Sequence, residues 1–260
     1  PIIQYIQPDI FMITELTSGA GATTILNDAL NVDGITSYQS ASYVNGTDTD
    51  NMLYYNSDKL VLHSQERILT ALRDINEYVL YYNVTGMTVA SDTTFIYCYM
   101  AHLKAGETGL NPQKRNQESV SLKLHMDSHT NSIENVILGG DFNFYDSSIP
   151  VEPAYNTILN GGNISLYDPI STPGVWHNNS SFSNIHTQST RSGTIGDGGA
   201  FGGMDDRFDF IFVTNDIFNG ANGLTYVPNS YSAVGNDGNH FNKSINATPT
   251  NTSAPSNVID

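Results

Sequence analysis

The sequence predicts an α+β domain in which two mixed sheets pack together and helices cover their outer faces. Strand-like runs rich in Tyr, Val, Ile and Phe alternate with turn residues, and segments with helical spacing interrupt them. No internal repeat or linker divides the chain. Because 260 residues with 39% hydrophobic side chains can bury one large core, we expect a single domain over residues 1–260.

The first half of the chain combines one helical segment with several strands. "PDIFMITEL" predicts a short buried strand over 10–14 that delivers Glu15 at its end, and "GATTILNDAL" has the apolar spacing of a helix. Strand-like runs follow in "NMLYYN", "KLVLHSQERIL", "YVLYYNVTG" and "TTFIYCYMAHL". The last run contains Cys98, the single cysteine, which excludes an intrachain disulfide and is expected to be buried.

The second half begins with a long helix. "NPQKRNQESVSLKLHMDSH" predicts this helix, "ENVILGG" a buried strand, "EPAYNTILN" a short helix and "DRFDFIFVT" a late strand. Residues 171–206 and the tail after Val234 are rich in Gly, Ser, Asn and Thr, so we expect long loops there. No apolar run approaches the roughly 18–20 residues that span a bilayer.

The charge balance is strongly acidic. Ten basic residues against 26 acidic ones give a formal charge of -16, which repels polyanions at long range. The densest basic group is Lys104, Lys114 and Arg115, too small for the basic patch of a sequence-independent nucleic-acid binder. Nucleic acid is therefore a disfavoured partner, although bound divalent cations can reverse the local field. We expect a monomer.

Several polar side chains stand where apolar strands end. They are Glu15, His102, Asp141 with Asn143, and Asp209. A lone carboxylate is costly to bury unless it is paired or holds a metal ion, and oxygen ligands without cysteine suit Mg²⁺, Mn²⁺ or Ca²⁺. Gly139 and Gly140 allow a substrate or second strand to approach the backbone beside Asp141. Asn143 points the same way as Asp141 if the backbone stays extended.

Four sequence blocks in this order resemble those of a known family. "PDIFMITEL", "MAHLKAG", "ILGGDFN" and "DRFDFIF", between residues 8 and 212, are similar to the blocks of the endonuclease/exonuclease/phosphatase family, which has the DNase I-like fold. The resemblance implies a four-layer α/β/β/α sandwich. It also implies metal-dependent hydrolysis of phosphate esters by in-line attack of water. The implied substrates include DNA, RNA, sphingomyelin-like lipids, inositol phosphates and small phosphodiesters.

The same resemblance implies roles for the strand-end residues. Glu15 matches the metal-binding glutamate. Asp141 matches the acid at the metal centre that positions or activates the attacking water. Asn143 matches the amide that hydrogen-bonds the scissile phosphate, and His102 a histidine that contacts the phosphate or assists the leaving group. Asp209 matches the acid that orients the family's last histidine. The implied cofactor is Mg²⁺, with Mn²⁺ or Ca²⁺ as alternatives.

The chain departs from the family pattern at both ends. It lacks the first-strand Asn and the closing Ser-Asp-His, and Asp237-Gly238-Asn239-His240 has the wrong spacing to replace it. We interpret the sequence as a fragment without the family's first and last strands. The alternative is an inactive member that serves as a binding or surface module. A calcium-binding surface protein using "DTD" and "DDRFD" is a third possibility, but neither stretch has the spacing of a calcium loop.

Each candidate also has a purely structural interpretation. Asp141 and Asn143 have the composition of an Asx turn, His102 that of a core histidine, and Asp209 is placed to pair with Arg207. Three further polar side chains in the predicted loop 171–206 are interpreted as loop residues without a role in the site: His177, His186 and Arg191. His240 is interpreted as a solvated loop residue. The Tyr-rich strands predict core packing rather than a platform for stacking bases.

Composition also bears on location. The chain is rich in Asn, Ser and Thr, and sequons such as Asn45-Gly46-Thr47 recur. An exported bacterial surface without glycans accounts for this composition at least as well as glycosylation does. The chain begins at Pro1, without an initiator Met or a signal peptide. We therefore expect a secreted or cell-surface bacterial protein, cut from something longer.

Overall fold

The computed structural model describes residues 1–84, 93–196 and 198–259. The helices are α1 (Ile2–Ile6), α2 (Gly19–Ile25, continued by a π-helical turn over Leu26–Leu30), α3 (Asn111–Ser128), α4 (Pro153–Asn160), α5 (Asn215–Asn219) and α6 (Ser256–Ile259). The strands are β1 (Ile10–Leu16), β2 (Tyr38–Ser40), β3 (Asp50–Asn56), β4 (Leu60–Ile68), β5 (Ile75–Tyr82), β6 (Phe95–His102), β7 (Val136–Asp141), β8 (Leu166–Tyr167) and β9 (Asp209–Thr214).

These elements form two sheets. The smaller has the strand order β1-β3-β2 with antiparallel pairs, and the larger has the order β4-β5-β6-β7-β9-β8. Strands β6 and β7 run parallel, while the other pairs of the larger sheet are antiparallel. Parallel neighbours need a crossover connection, and α3 supplies it between β6 and β7.

Three hydrophobic clusters separate four layers. One packs α2 on the outer face of the smaller sheet, through Ala22, Leu30 and Tyr54. The second lies between the two sheets, where Leu53 and Met100 belong to one cluster. The third lies between the larger sheet and helices α3 and α4. This arrangement confirms the predicted α+β class and the α/β/β/α sandwich.

Every strand and helix predicted from the sequence is present where the residues are described. Strand β1 extends to Leu16, so that Glu15 lies within the strand rather than after it. The predicted run "YVLYYNVTG" ends as β5 at Tyr82, and its positions 85 and 86 lie outside the described residues. Apart from a 3₁₀-helix over Ser180–Ile185, the described residues of 171–196 and 198–206 are irregular, as expected for a loop. Helices α1, α5 and α6 and strands β2 and β8 were not predicted, because they are too short for a periodic signal.

The core contains the aromatic side chains that the strands carry. Tyr54, Tyr78 and Tyr99 are buried, which agrees with their predicted packing role. Cys98 is fully buried, and burial raises the pKa of its thiol to about 12, so it is an unreactive core residue. In the described residues, no helix is long and apolar enough to cross a membrane.

Candidate active site

Sheet register brings three of the predicted site residues side by side. His102 ends β6 directly beside Asp141 at the end of β7, because these two strands run parallel. Asp141 in turn lies opposite Asp209, the first residue of the antiparallel strand β9. The three polar side chains therefore lie together where β6 and β7 end and β9 begins.

Glu15 reaches this group of side chains from the smaller sheet. The register of β1 against β3 shifts between Ile13 and Leu16, and Glu15 has a φ of 62° within this bulge. A bulge re-aims a side chain relative to regular alternation. Its carboxylate Oε1 lies 4.0 Å from His102 Nε2, and 65% of the side chain is exposed. Glu15 is thus the solvent-facing acid of the group.

His102 is buried between the two sheets. Its Nε2 atom lies 3.9 Å from Asp141 Oδ2, and its Nδ1 atom is buried without a hydrogen-bond partner in the described part of the chain. Burial lowers the pKa of His102 to about 4, and the positive charge of Arg73 lowers it further against the opposing effect of Asp48. The imidazole is therefore neutral at pH 7.

Asp141 is a buried carboxyl group with an acidic neighbourhood. Burial raises its pKa to about 7, and the charges of Asp209 and Glu15 add to the effect. Hydrogen bonds from the Asn143 backbone and the Gln188 amide oppose the rise. The protein groups that stabilise its negative charge are too few to offset burial, which is a situation that a bound divalent cation relieves.

Asn143 is held by a tight turn rather than by an extended strand. Strand β7 ends at Asp141, and Asn143 has a φ of 51°. Its backbone N–H donates to Asp141 Oδ1 over 2.9 Å, which is the geometry of an Asx turn. Its side-chain amide donates to the Leu103 carbonyl over 3.2 Å. The backbone is therefore not extended at Asn143, and the Asx turn considered from the sequence is present.

Asp209 is paired differently from either sequence interpretation. Arg207 makes a buried, bidentate pair with Asp168 at 2.8 and 2.9 Å, so the proposed Arg207–Asp209 pair is wrong. In the described residues, the Asp209 carboxylate is hydrogen-bonded by Gln188 and Thr187, and no histidine contacts it. Burial raises the pKa of Asp209, and these two hydrogen bonds lower it. The histidine that the resemblance implies for this acid is not among these contacts.

Sequence reasoning missed Gln188. Its Nε2 atom donates to Asp141 Oδ2 over 3.2 Å and to Asp209 Oδ2 over 3.3 Å, so one amide bridges the two carboxylates. The neighbouring Thr187 hydroxyl accepts from the backbone N–H of Asp209 over 3.1 Å. Both residues lie in "IHTQSTR", a stretch whose only signal was its polar composition in a loop that borders the site.

The carboxylate oxygens at these strand ends are ligands of the kind that a hard divalent cation takes. Glu15 Oε1 and Asp141 Oδ2 each lie within 4.0 Å of His102 Nε2. Carboxylate oxygens are the ligands that Mg²⁺ prefers, usually one or two of them together with water. The raised pKa of Asp141 records the lack of a positive charge among the neighbouring protein groups. Glu15 and Asp141 are thus the residues that would hold the ion.

The three histidines of the long loops have other contacts. His240 was expected to be solvated, which is wrong: it is buried, with Nδ1 2.8 Å from Asp237 Oδ1 and Nε2 2.9 Å from two backbone carbonyl oxygens. His186 is buried against the Trp176 carbonyl, whereas His177 pairs with Asp206 at 2.7 Å. All three hold the long loops together.

Known structures share this fold at low sequence identity. The human Nocturnin catalytic domain with bound sulfate anion is 17% identical, with a TM-score of 0.53 over 83% of this chain and 72% of that one. D. rerio TDP2 complexed with a single-strand DNA product is 15% identical, with a TM-score of 0.52 over 82% and 73%. A functionally unknown conserved protein from Enterococcus faecalis is 12% identical, with a TM-score of 0.50 over 93% and 84%. Neither a protein-family sequence model nor a curated protein sequence matches the chain.

Proposed function

Because the chain has the DNase I-like fold of the endonuclease/exonuclease/phosphatase superfamily, we propose that it is a divalent-metal-dependent phosphoesterase. The placement of His102, Asp141 and Asp209 at adjacent strand ends, with Glu15 4.0 Å from His102, carries this proposal. The neutral His102 also lies 3.9 Å from Asp141, whose pKa is raised. Perturbed carboxyl groups of this kind are typical of active sites.

In this proposal, the acidic side chains bind the metal ion and position the attacking water. Glu15 and Asp141 would hold the divalent ion, which would supply Lewis acidity and stabilise the negative charge that develops on the phosphate. The Asp141 carboxylate would also orient the attacking water by accepting a hydrogen bond from it. Gln188 fixes the rotamers of Asp141 and Asp209 by bonding both carboxylates.

His102 and Asn143 contact the phosphate in this proposal. The distances of 3.9–4.0 Å from His102 Nε2 to the two carboxylate oxygens are too long for hydrogen bonds. The neutral imidazole can therefore donate a hydrogen bond to a phosphate oxygen instead. The Asn143 side-chain amide donates one N–H to Leu103, which leaves its second N–H for the substrate.

A small phosphodiester or a lipid head group fits the charge of the protein better than a nucleic acid. The net charge is -16, and Arg115, one of the few clustered basic residues, is buried in a pair with Glu152. The bound sulfate and the single-strand DNA product in two structural neighbours support a phosphate-binding site without selecting the substrate. A polyanionic substrate would show a steep decrease of affinity with salt, whereas a small phosphodiester would not.

Hydrolysis of a chromogenic phosphodiester tests the proposal. The wild type is assayed with Mg²⁺, with Mn²⁺ and with excess EDTA, beside Asp141→Ala and the surface control Asp58→Ala. We expect metal-dependent turnover that EDTA and Asp141→Ala abolish and that Asp58→Ala retains. Equal turnover in wild type and Asp141→Ala would contradict the assignment of the site.

An inactive binding module remains the second candidate, and one observation favours it. The partners of Asp209 in the described residues are Thr187 and Gln188, where the resemblance implies a catalytic histidine. A folded wild type that binds phosphate analogues with Mg²⁺ present but hydrolyses none of the substrates would support this candidate. Isothermal titration with inorganic phosphate measures the binding, and the hydrolysis assay distinguishes the two candidates.

A further inference from the structure

A second cluster of metal-ligating side chains lies beneath helix α3. Glu77 is buried on β5, where it is the cross-strand partner of Tyr99 on β6. His125 belongs to the last turn of α3, and His129 is its C-cap. Both histidines direct Nε2 at the same atom, Glu77 Oε2, over 3.1 and 2.8 Å. Three ligating atoms from two distant segments thus converge on one point.

Aromatic neighbours hold the three side chains in place. The Tyr99 hydroxyl donates to Glu77 Oε2, and the Tyr97 ring meets His129 edge to face with centroids 5.5 Å apart. The two imidazole rings are nearly perpendicular, at 87°, with centroids 5.4 Å apart. Outer contacts of this kind fix the orientation of metal ligands.

We propose that Glu77, His125 and His129 bind a transition-metal ion of the Zn²⁺ class. Two imidazoles and one carboxylate are a common ligand set of zinc sites with an open fourth position, and they do not suit Mg²⁺ or Ca²⁺. Bonds of about 2.0–2.2 Å in a tetrahedron place ligand atoms about 3.3–3.5 Å apart. The observed separations of 2.8 and 3.1 Å need to widen by only a few tenths of an ångström.

Exposure and charge are consistent with access for an ion. The side chains of His125 and His129 are 18% and 24% exposed, so that water completes the fourth position from the solvent side. Glu66 lies directly opposite Glu77 on the neighbouring strand β4 and adds negative charge.

This cluster is separate from the candidate active site. Tyr99 belongs to the hydrophobic cluster on the α3 side of the larger sheet, together with Leu122 and Met126 of that helix. His102 is three residues further along β6 and therefore points to the opposite face, between the two sheets. The proposed ion ties the end of α3 to β5 and is independent of the proposed phosphoesterase activity.

Cobalt titration of the full chain tests the site without any activity assay. Co²⁺ is added in the presence of excess Mg²⁺, which occupies oxygen sites but competes poorly for imidazole. We expect one equivalent of Co²⁺ to give the intense visible absorption of four-coordinate cobalt, and one equivalent of Zn²⁺ to remove it. The variants are His125→Asn, His129→Asn and Glu77→Gln, with His63→Asn on β4 as the matched histidine control.

The variants separate a built site from adventitious binding. Loss of a ligand should weaken Co²⁺ binding by at least about 100-fold, more than loss of an outer contact does, whereas His63→Asn should bind as the wild type does. The two histidine variants alter partly exposed side chains, so circular dichroism should show them folded. A colourless wild type, or equal weakening in His63→Asn and His129→Asn, would overturn the proposal.

Discussion

His102 and Asp141 are direct neighbours in the larger sheet, with Nε2 and Oδ2 3.9 Å apart, yet they are not hydrogen-bonded. Both side chains are buried, and their pKa values shift away from the charged forms: His102 to about 4 and Asp141 to about 7. A neutral imidazole thus lies beside a carboxyl group that is near its titration point, with no hydrogen bond between them. These two side chains belong to the group on which the proposed chemistry rests.

The depressed pKa of His102 predicts a specific dependence of stability on pH. Between pH 6.5 and 4 the unfolded chain binds a proton at this residue and the folded chain does not, so acidification lowers the free energy of unfolding. The contribution is complete above pH 6.5 and amounts to up to about 3 kcal/mol. Urea unfolding of His102→Asn across this range should show a flatter pH dependence than the wild type. An unchanged slope would mean that His102 is charged in the folded state.

Loss of the bridging amide should reduce turnover without unfolding the protein. Gln188→Ala removes the donor shared by Asp141 and Asp209, so that the two carboxylates lose their fixed orientation. We expect a decrease in kcat of about 10–100-fold, as for other groups that orient metal ligands. The control is Gln113→Ala on the exposed side of α3. A variant as active as the control would show that the bridge is structural only.

The buried ion pair of Arg207 with Asp168 should contribute far more to the free energy of unfolding than an exposed pair does. Arg207 is fully buried, bonds both oxygens of Asp168, and has its guanidinium 4.0 Å from the centre of the Phe210 ring. Arg207→Met leaves a buried charge unpaired and should cost about 3–5 kcal/mol in urea unfolding. Arg67→Met, which breaks a partly exposed pair, should cost less than about 1 kcal/mol. Similar losses in the two variants would contradict this account.

Gly140 permits the close contact of β7 with β6 beside the site. A Cβ atom there would lie 1.9 Å from the Ala101 carbonyl oxygen, and the residue has a φ of +140°. Gly140→Ala should therefore destabilise the fold by at least about 3 kcal/mol. The comparison is Gly109→Ala, with a φ of +68° and no atom within 4 Å of its Cβ, which should cost about 1–2 kcal/mol. Thermal unfolding of both variants measures the difference, and equal losses would exclude the steric explanation.

The sequence by itself determined the longer elements and the strand-terminal positions of His102, Asp141 and Asp209. Apolar alternation and helical spacing are local, so "FIYCYMAH" and "ILGGD" could be interpreted as strands that end in His102 and Asp141. The order of the blocks also predicted the four layers. These inferences needed no knowledge of which strands become neighbours.

Only the tertiary structure decided which side chains share a site. Gln188 reaches Asp141 from a loop 47 residues away, and Glu77 meets His129 across 52 residues. The burial of His240 and the pairing of Arg207 with Asp168 likewise depend on the path of long loops. The periodicity of apolar side chains shows which face of a helix or strand is buried, but not which element packs against that face. The partner is decided by strand register, by the bulge at Glu15 and by the packing of one sheet on the other.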